Sequence, residues 1–357
     1  MTADTVGGVW TYALDLARSL VAGGADVTLA VLGPSTEPQQ AEAALEAGAE
    51  VIDTGLPLDW LSDDQGEIRA AGAALNRLRQ ETGADLLHLN HAALGVGHDG
   101  GRPMVAVAHS CVATWWAAVR GEEPMPDDFA WRTALVAEGY RRAAMVIAPS
   151  HAFARATQAT YGLPTAPRTV WNGRRSLDEA APARFKRQVL TAGRLWDEGK
   201  GVATLDAAAA RLDAKVEAAG PLSGSNGASV RLKHAVPAGF LSTSQLAARL
   251  AQRPVFASAA LYEPFGLSVL EAAQAGCALA LSDIPTHREL WDGAAVFFPP
   301  RDDAAAADVI AALLDAEPKR EAAGTAARER ASAYTVARMA AGTRAVYAQA
   351  LTAERTA

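Results

Sequence analysis

Cysteine is scarce: Cys111 and Cys277 are the only two in 357 residues and lie far apart, so neither a disulfide scaffold nor a cysteine metal site is supported. A reducing, cytoplasmic compartment is what this usage leads one to expect. Positive charge is in deficit as well. A net charge of -7 argues against nucleic-acid binding by phosphate neutralisation and points to a small partner. No apolar run reaches membrane-spanning length, and no signal peptide with a basic start and apolar middle is visible. Peripheral contact with the inner face of a membrane stays open. Asp-x-Asp is missing throughout, which removes the usual carboxylate clamp for a metal-bound nucleotide diphosphate.

The chain does contain enough apolar material for a large folded protein, with 50% hydrophobic and 20% charged residues, and its length implies two domains. Short apolar runs alternate with helical patterns. "DVTLAVLG", "AEVIDTG", "DLLHLNH", "PMVAVAHS", "MVIAPS" and "RTVWNG" read as buried strands, and "VWTYALDLARSLVAGG", "EIRAAGAALNRLRQETG", "DFAWRTALVAEGYRRA" and "HAFARATQATYG" as the helices between them. A second series follows, with "QVLTAGRL", "KVEAAG", "VRLKHAV", "PVFASAAL", "ALALSD" and "AAVFFPP" as strands and "STSQLAARLAQR" as the clearest helix. Such alternation means parallel sheets covered on both faces, so the expected class is α/β, two doubly wound Rossmann-like units in tandem. The expected boundaries are 1–173 for the first domain, 174–187 for a polar connection, 188–334 for the second domain and 335–357 for a closing helix. A doubly wound domain normally places a buried strand before its first helix, and here no apolar strand is visible in "MTADTVGG".

In open α/β sheets, ligands sit beyond the carboxyl ends of the strands, where helix N-termini offer unpaired N–H groups. "LYEPFGLSVLEAA", residues 261–273, fits that place, with Glu263 and Glu271 on either side of the turn and Gly266, Leu267 and Ser268 at the helix start. A carboxylate accepts two hydroxyl hydrogen bonds at once, so two acids flanking a phosphate site suit a ligand with a sugar at each end. The plainer alternative is that both acids only complement the helix dipole. In "GRLWDEGKG", Arg194 and Lys200 are cations able to converge on the same anion, or parts of a solvated mixed-charge loop. Gly7 and Gly8 precede the first helix, where backbone can approach a ligand, although a Gly-Gly pair is often just a turn. His109 ends an apolar strand, as a catalyst or as a structural group. His88 and His91 are spaced like metal ligands, but no third ligand is apparent, so no metal is expected.

Taken in order, "GGVWTYALDLARSL", "VIAPSHAF", "VWNG", "GRLWDEGKG" and "YEPFGLSVLEAAQAGCALALSD" resemble the retaining glycosyltransferases of glycosyltransferase family 4 over nearly the whole chain. The resemblance implies the GT-B fold, two Rossmann-like domains facing a central cleft. It also implies transfer of a sugar from a nucleoside-diphosphate-sugar donor to an acceptor hydroxyl on a glycan, lipid or small molecule, in glycan, glycolipid or cell-envelope polysaccharide synthesis, with no cofactor and no metal. By the same resemblance, Glu263 contacts the transferred sugar, and Glu271 the donor ribose. Phe265, Gly266, Leu267 and Ser268 border the sugar and diphosphate, Arg194 and Lys200 bind the diphosphate, and His109 lies on the acceptor side. The Gly7–Gly8 loop approaches the donor from the other domain. Two departures stand out: the missing opening strand, and "NGRR" where the family pattern has Asn-Gly followed by an apolar residue and an acid. A nucleotide-sugar epimerase and a GT-B protein that only binds nucleotide or glycan are the alternative readings.

Overall fold

The computed structural model of the chain describes residues 1–5, 7–177 and 185–354. It divides into two units, Met1–Gly173 with Val336–Ala357, and Arg174–Thr335. The expected connection 174–187 lies partly outside the described residues, as does the end of the closing helix. In the first unit the order is β1 (Thr2–Asp4), α1 (Gly8–Ala22), β2 (Thr28–Leu32), α2 (Pro38–Glu46), β3 (Glu50–Asp53), α3 (Gln65–Thr82), β4 (Leu87–Leu89), β5 (Met104–Val107), α4 (Val112–Val119), α5 (Asp127–Arg142), β6 (Met145–Ala148), α6 (His151–Tyr161) and β7 (Arg168–Thr169). The second unit continues with β8 (Gln188–Ala192), α7 (Val202–Ala209), β9 (Lys215–Ala219), β10 (Val236–Gly239), α8 (Thr243–Leu250), β11 (Val255–Ser258), α9 (Leu267–Gln274), β12 (Leu279–Ser282), α10 (Pro285–Trp291), β13 (Val296–Phe298), α11 (Asp303–Asp315) and α12 (Glu317–Ala331). The last helix, α13 (Val336–Glu354), belongs to the first unit, where Met339, Ala340, Val346 and Ala350 pack with Tyr12, Leu16 and Leu20 of α1.

Every pairing between these strands is parallel. The second unit has one six-stranded sheet, ordered β10-β9-β8-β11-β12-β13. Its strands are apolar at successive positions because both faces are covered. Val189, Val255, Ala257 and Ala280 enter one core cluster, while Leu190, Phe256, Leu279 and Leu281 enter the other. Each large side chain so buried contributes about 1.5–3 kcal/mol.

The first unit has two ladders, β1-β2-β3 and β4-β5-β6-β7. Asn90, just past β4, bridges them: its backbone N–H donates to Thr2 Oγ1 at 2.9 Å and its Nδ2 to the Thr2 carbonyl at 2.6 Å. The expectation that no strand precedes the first helix is therefore corrected. Thr2, Ala3 and Asp4 pair with Ala30, Val31 and Leu32, and all three are buried. Two of the three are polar and satisfied by distant partners, so no apolar run announces the strand. A second correction concerns "VRLKHAV", which becomes strand only from Val236 onward. The amides of Lys233, His234 and Ala235 donate instead to the buried Asp206 carboxylate, at 2.8–3.0 Å. Among the described residues, no helix is long and apolar enough to cross a membrane.

Candidate active site

In the second sheet the chain builds outward from β8 through β9 to β10, then crosses to β11 and builds the other way. The carboxyl ends of β8 and β11 thus flank a topological switch point, where diverging loops leave room for a ligand. The candidate residues of this unit lie on those two loops and on α9.

After β8, Asp197 accepts from the Gly199 N–H at 2.9 Å and shapes the short turn Glu198–Lys200. Gly201 follows with φ 61°, and a Cβ there would run into the Ala259 carbonyl. This close approach lets the Gly199 carbonyl accept from Leu261 N–H at 2.8 Å and Tyr262 N–H at 3.1 Å, which ties the β8 loop to the β11 loop. Lys200 is delivered to Glu263 as a result: Nζ donates to Oε2 at 2.7 Å, with the side chains 24% and 10% exposed. Burial pushes the Glu263 carboxyl up, but the Lys200 charge and its hydrogen bond outweigh that and hold the group below the ordinary glutamate range. Arg194 also acts on Glu263 by charge. Its own guanidinium pairs with Asp197 at 3.3 Å, lies 5.7 Å from the Trp196 ring, and is 46% exposed, so it is held less tightly than Lys200.

Several helices here begin with a side chain that satisfies the first amides, such as Asp64 for α3, Ser150 for α6 and Asp302 for α11. α9 begins instead at Gly266, with φ 90° and no side-chain cap, beside Glu263. Leu267 and Ser268 form its first turn and are half-buried. The Phe265 ring is buried in the core, edge-on to Tyr334 at 5.7 Å, and so anchors the loop. Glu271, in the next turn of α9, accepts from Arg174 Nε at 2.7 Å.

Three other residues of this unit escaped the sequence reading. Ser282 Oγ donates to the Ala260 carbonyl, and the fully buried His287 donates through Nδ1–H to the Ser282 carbonyl at 2.9 Å, which backs the β11 loop. Arg174 stood out only as an oddity of "NGRR".

In the first unit, Gly7 and Gly8 open α1 and are exposed. His109 lies two residues past β5, half-buried against the edge of the Tyr12 ring at 4.5 Å. Because Asn90 Nδ2 donates to Thr2, Asn90 Oδ1 must accept, and it faces His109 Nε2 at 2.8 Å and His88 Nε2 at 3.0 Å. Both imidazoles therefore carry their proton on Nε2. His88 Nδ1 then accepts from the Tyr347 hydroxyl at 2.6 Å. Burial, with the charge of His91 nearby, pushes the His109 pKa down to about 3, so the ring is neutral. His91 pairs separately with Asp4 at 3.0 Å, so the structure does not bring His88 and His91 onto one centre. Among the described residues, no three His, Cys, Asp or Glu are grouped to hold a metal ion.

Residues 6–174 match the family described as Glycosyltransferase Family 4, and residues 178–330 match Glycosyl transferases group 1. The sequence has no match among curated proteins. Among solved structures, sucrose-phosphate synthase from Thermosynechococcus elongatus is similar, with a TM-score of 0.79 and 19% identity over 98% of this chain and 95% of that one. A glycosyltransferase from Rickettsia africae has a TM-score of 0.72 and 14% identity over 98% and 97%. Anabaena HepE has a TM-score of 0.73 and 18% identity over 98% and 100%. At such identities the likeness concerns the fold. Two family matches in tandem, one on each doubly wound unit, make this chain a GT-B glycosyltransferase with a family 4 domain followed by a group 1 domain.

Proposed function

We propose that this glycosyltransferase moves a sugar from a nucleoside-diphosphate-sugar to an acceptor hydroxyl, with retention of anomeric configuration and without a bound metal or other cofactor. The observation that carries the reading is the Lys200–Glu263 pair, held at 2.7 Å beside the uncapped start of α9. Anabaena HepE, a structural neighbour, was solved with UDP-glucose, and S. aureus TarM with UDP and alpha-GlcNAc-glycerol, which supports a nucleotide-sugar donor and a hydroxyl acceptor.

The diphosphate docks on the amides of Gly266, Leu267 and Ser268, with Arg194 and Lys200 as its cations. Glu263 faces the sugar and Glu271 the ribose. The bond between the anomeric carbon and the diphosphate oxygen breaks, and its electron pair leaves with the diphosphate, where the helix end and both cations stabilise the new charge. The acceptor oxygen bonds to the anomeric carbon on the same face and passes its proton to the departing diphosphate. His109 acts as a neutral hydrogen-bond partner for a sugar hydroxyl, since its low pKa rules out a cation near pH 7.

The test is a thermal-shift screen of UDP, GDP and ADP followed by product analysis of the matching sugar donors with and without glycan, lipid and small-molecule acceptors. A stabilising nucleotide, and a glycosylated product that keeps the donor's anomeric configuration, are expected. A changed free nucleotide-sugar formed without acceptor would favour an epimerase, and binding without turnover a protein that only binds.

A further inference from the structure

Asp4 ends β1, and His91, two residues past β4, reaches it there: the ring is 6% exposed and its Nε2–H donates to Asp4 Oδ2 at 3.0 Å. Asp59 comes to the same place from the stretch between β3 and α3. Its position is fixed by α5, because Arg132 donates through Nη1 to the Asp59 carbonyl at 3.0 Å and through Nη2 to the Asp63 carboxylate at 3.1 Å. These residues follow the carboxyl ends of parallel strands, the edge at which an open α/β sheet takes its ligand.

His91 Nδ1 and Asp59 Oδ1 are both buried, and among the described residues neither has a hydrogen-bond partner. Buried polar atoms are rarely left so, and two of them together mark a place for a polar group that the chain does not itself supply. Burial pushes the His91 pKa down, but the hydrogen bond with Asp4 and the charges of Asp59 and Asp4 outweigh it, so the ring is held above its ordinary value and favours the cation. Burial also pushes the Asp59 carboxyl up, and the His91 charge opposes that. Nδ1–H therefore needs an acceptor and Asp59 Oδ1 a donor. A hydroxyl serves both, its oxygen accepting from Nδ1–H and its hydrogen going to Oδ1. An ammonium has no lone pair to give, and a phosphate or carboxylate would meet two acids against one imidazolium.

We propose that Asp59 and His91 form an acceptor subsite that grips a hydroxyl other than the one glycosylated, so that the acceptor is a sugar or another polyol rather than a simple alcohol. This rests on the reading above that the second unit takes the donor nucleotide, which leaves the edge of the first unit to the second substrate. The gripped hydroxyl is not the reacting one, because its hydrogen is committed to Asp59, whereas the reacting oxygen passes its proton to the diphosphate.

Initial rates with the donor found by the screen above compare glucose with cyclohexanol, and glycerol with 1-propanol, as acceptors. The wild type is expected to favour each polyol by about 10-fold or more in kcat/KM, the value of one charge-assisted hydrogen bond. His91→Gln keeps an N–H for Asp4 and removes Nδ1, and Asp59→Ala removes the carboxylate. Each is expected to raise KM for the polyols about 10-fold with kcat within about 3-fold, as for binding lost equally from ground and transition states. KM for the simple alcohols and the affinity for the nucleoside diphosphate should stay at the wild-type value. If melting curves show that one variant does not fold, the other carries the test. A wild-type KM for the polyols in a variant of lowered Tm indicates a structural water only and overturns the proposal. So does a loss shared equally by polyols and simple alcohols, a loss of nucleotide affinity, or a wild type that transfers to other acceptors but to neither polyol. No transfer by the wild type from any donor to any acceptor would defeat the transferase reading itself.

Discussion

Replacing Lys200 by Met removes the cation but keeps most of the aliphatic stem, so packing in the β8 loop is disturbed little. Two losses follow. Removing one partner of a buried ion pair costs about 3–5 kcal/mol. Lys200 is 24% exposed, so water reaches the pair on one side, and about 2–3 kcal/mol at pH 7 is the expected cost. For a unit of this size that lowers Tm by roughly 5–10 °C. The pH dependence carries a sign. In the wild type the Glu263 carboxyl is held below its ordinary value near 4.5, so its stabilisation is complete above that pH and is lost as pH falls through the lower folded value. In Lys200→Met burial dominates and pushes the carboxyl above 4.5, so folding of the variant weakens as pH rises. The Tm gap between the two proteins should therefore be smallest near pH 4 and widest near pH 7, as read by circular dichroism. Turnover should fall by about 10²-fold or more, the typical loss of one transition-state donor. A variant that melts with the wild type at pH 7, or turns over within about 2-fold of it, would refute the reasoning about this pair.

Asp206→Ala strips three amides of the carboxylate that satisfies them and should cost about 2–4 kcal/mol in urea denaturation. The Asp206 carboxyl is held low because hydrogen bonds from Ala235, His234 and Lys233 outweigh the burial that raises it. Its contribution is therefore lost as pH falls below the ordinary aspartate range, and the gap between variant and wild type should narrow there. The pKa of about 3 at His109 implies that kcat/KM shows no inflection from this residue between about pH 5 and 8. An inflection near 6.5 that disappears in His109→Asn would contradict its neutral state.

The two doubly wound units were legible because runs such as "TLAVL", "MVAV", "VFAS" and "LALS" are too short for helices and too apolar for one-sided strands. β1 was not, since Thr2 and Asp4 are polar and their burial depends on Asn90 and His91, which arrive from the far end of β4. The start of β10 was misjudged for a similar reason: Asp206 draws off the amides that a ladder would have used. Within the site, Lys200 and Glu263 could be named from their loops, but their pairing depends on the Gly199 and Gly201 contacts across two strands. The place of the Phe265 ring against Tyr334 depends on packing that the loop sequence does not carry. The link from Arg174 to Glu271 spans 97 positions, beyond any local pattern.

The central claim is that the start of α9, with Lys200 and Glu263 beside it, receives the donor diphosphate. A crystal structure with the best-binding nucleoside diphosphate tests it most directly. Phosphate oxygens are expected about 2.7–3.2 Å from the amides at Gly266–Ser268 and from Lys200 Nζ, with the ribose against Glu271. A diphosphate bound elsewhere, with the Lys200–Glu263 pair and the α9 amides untouched, would contradict the account.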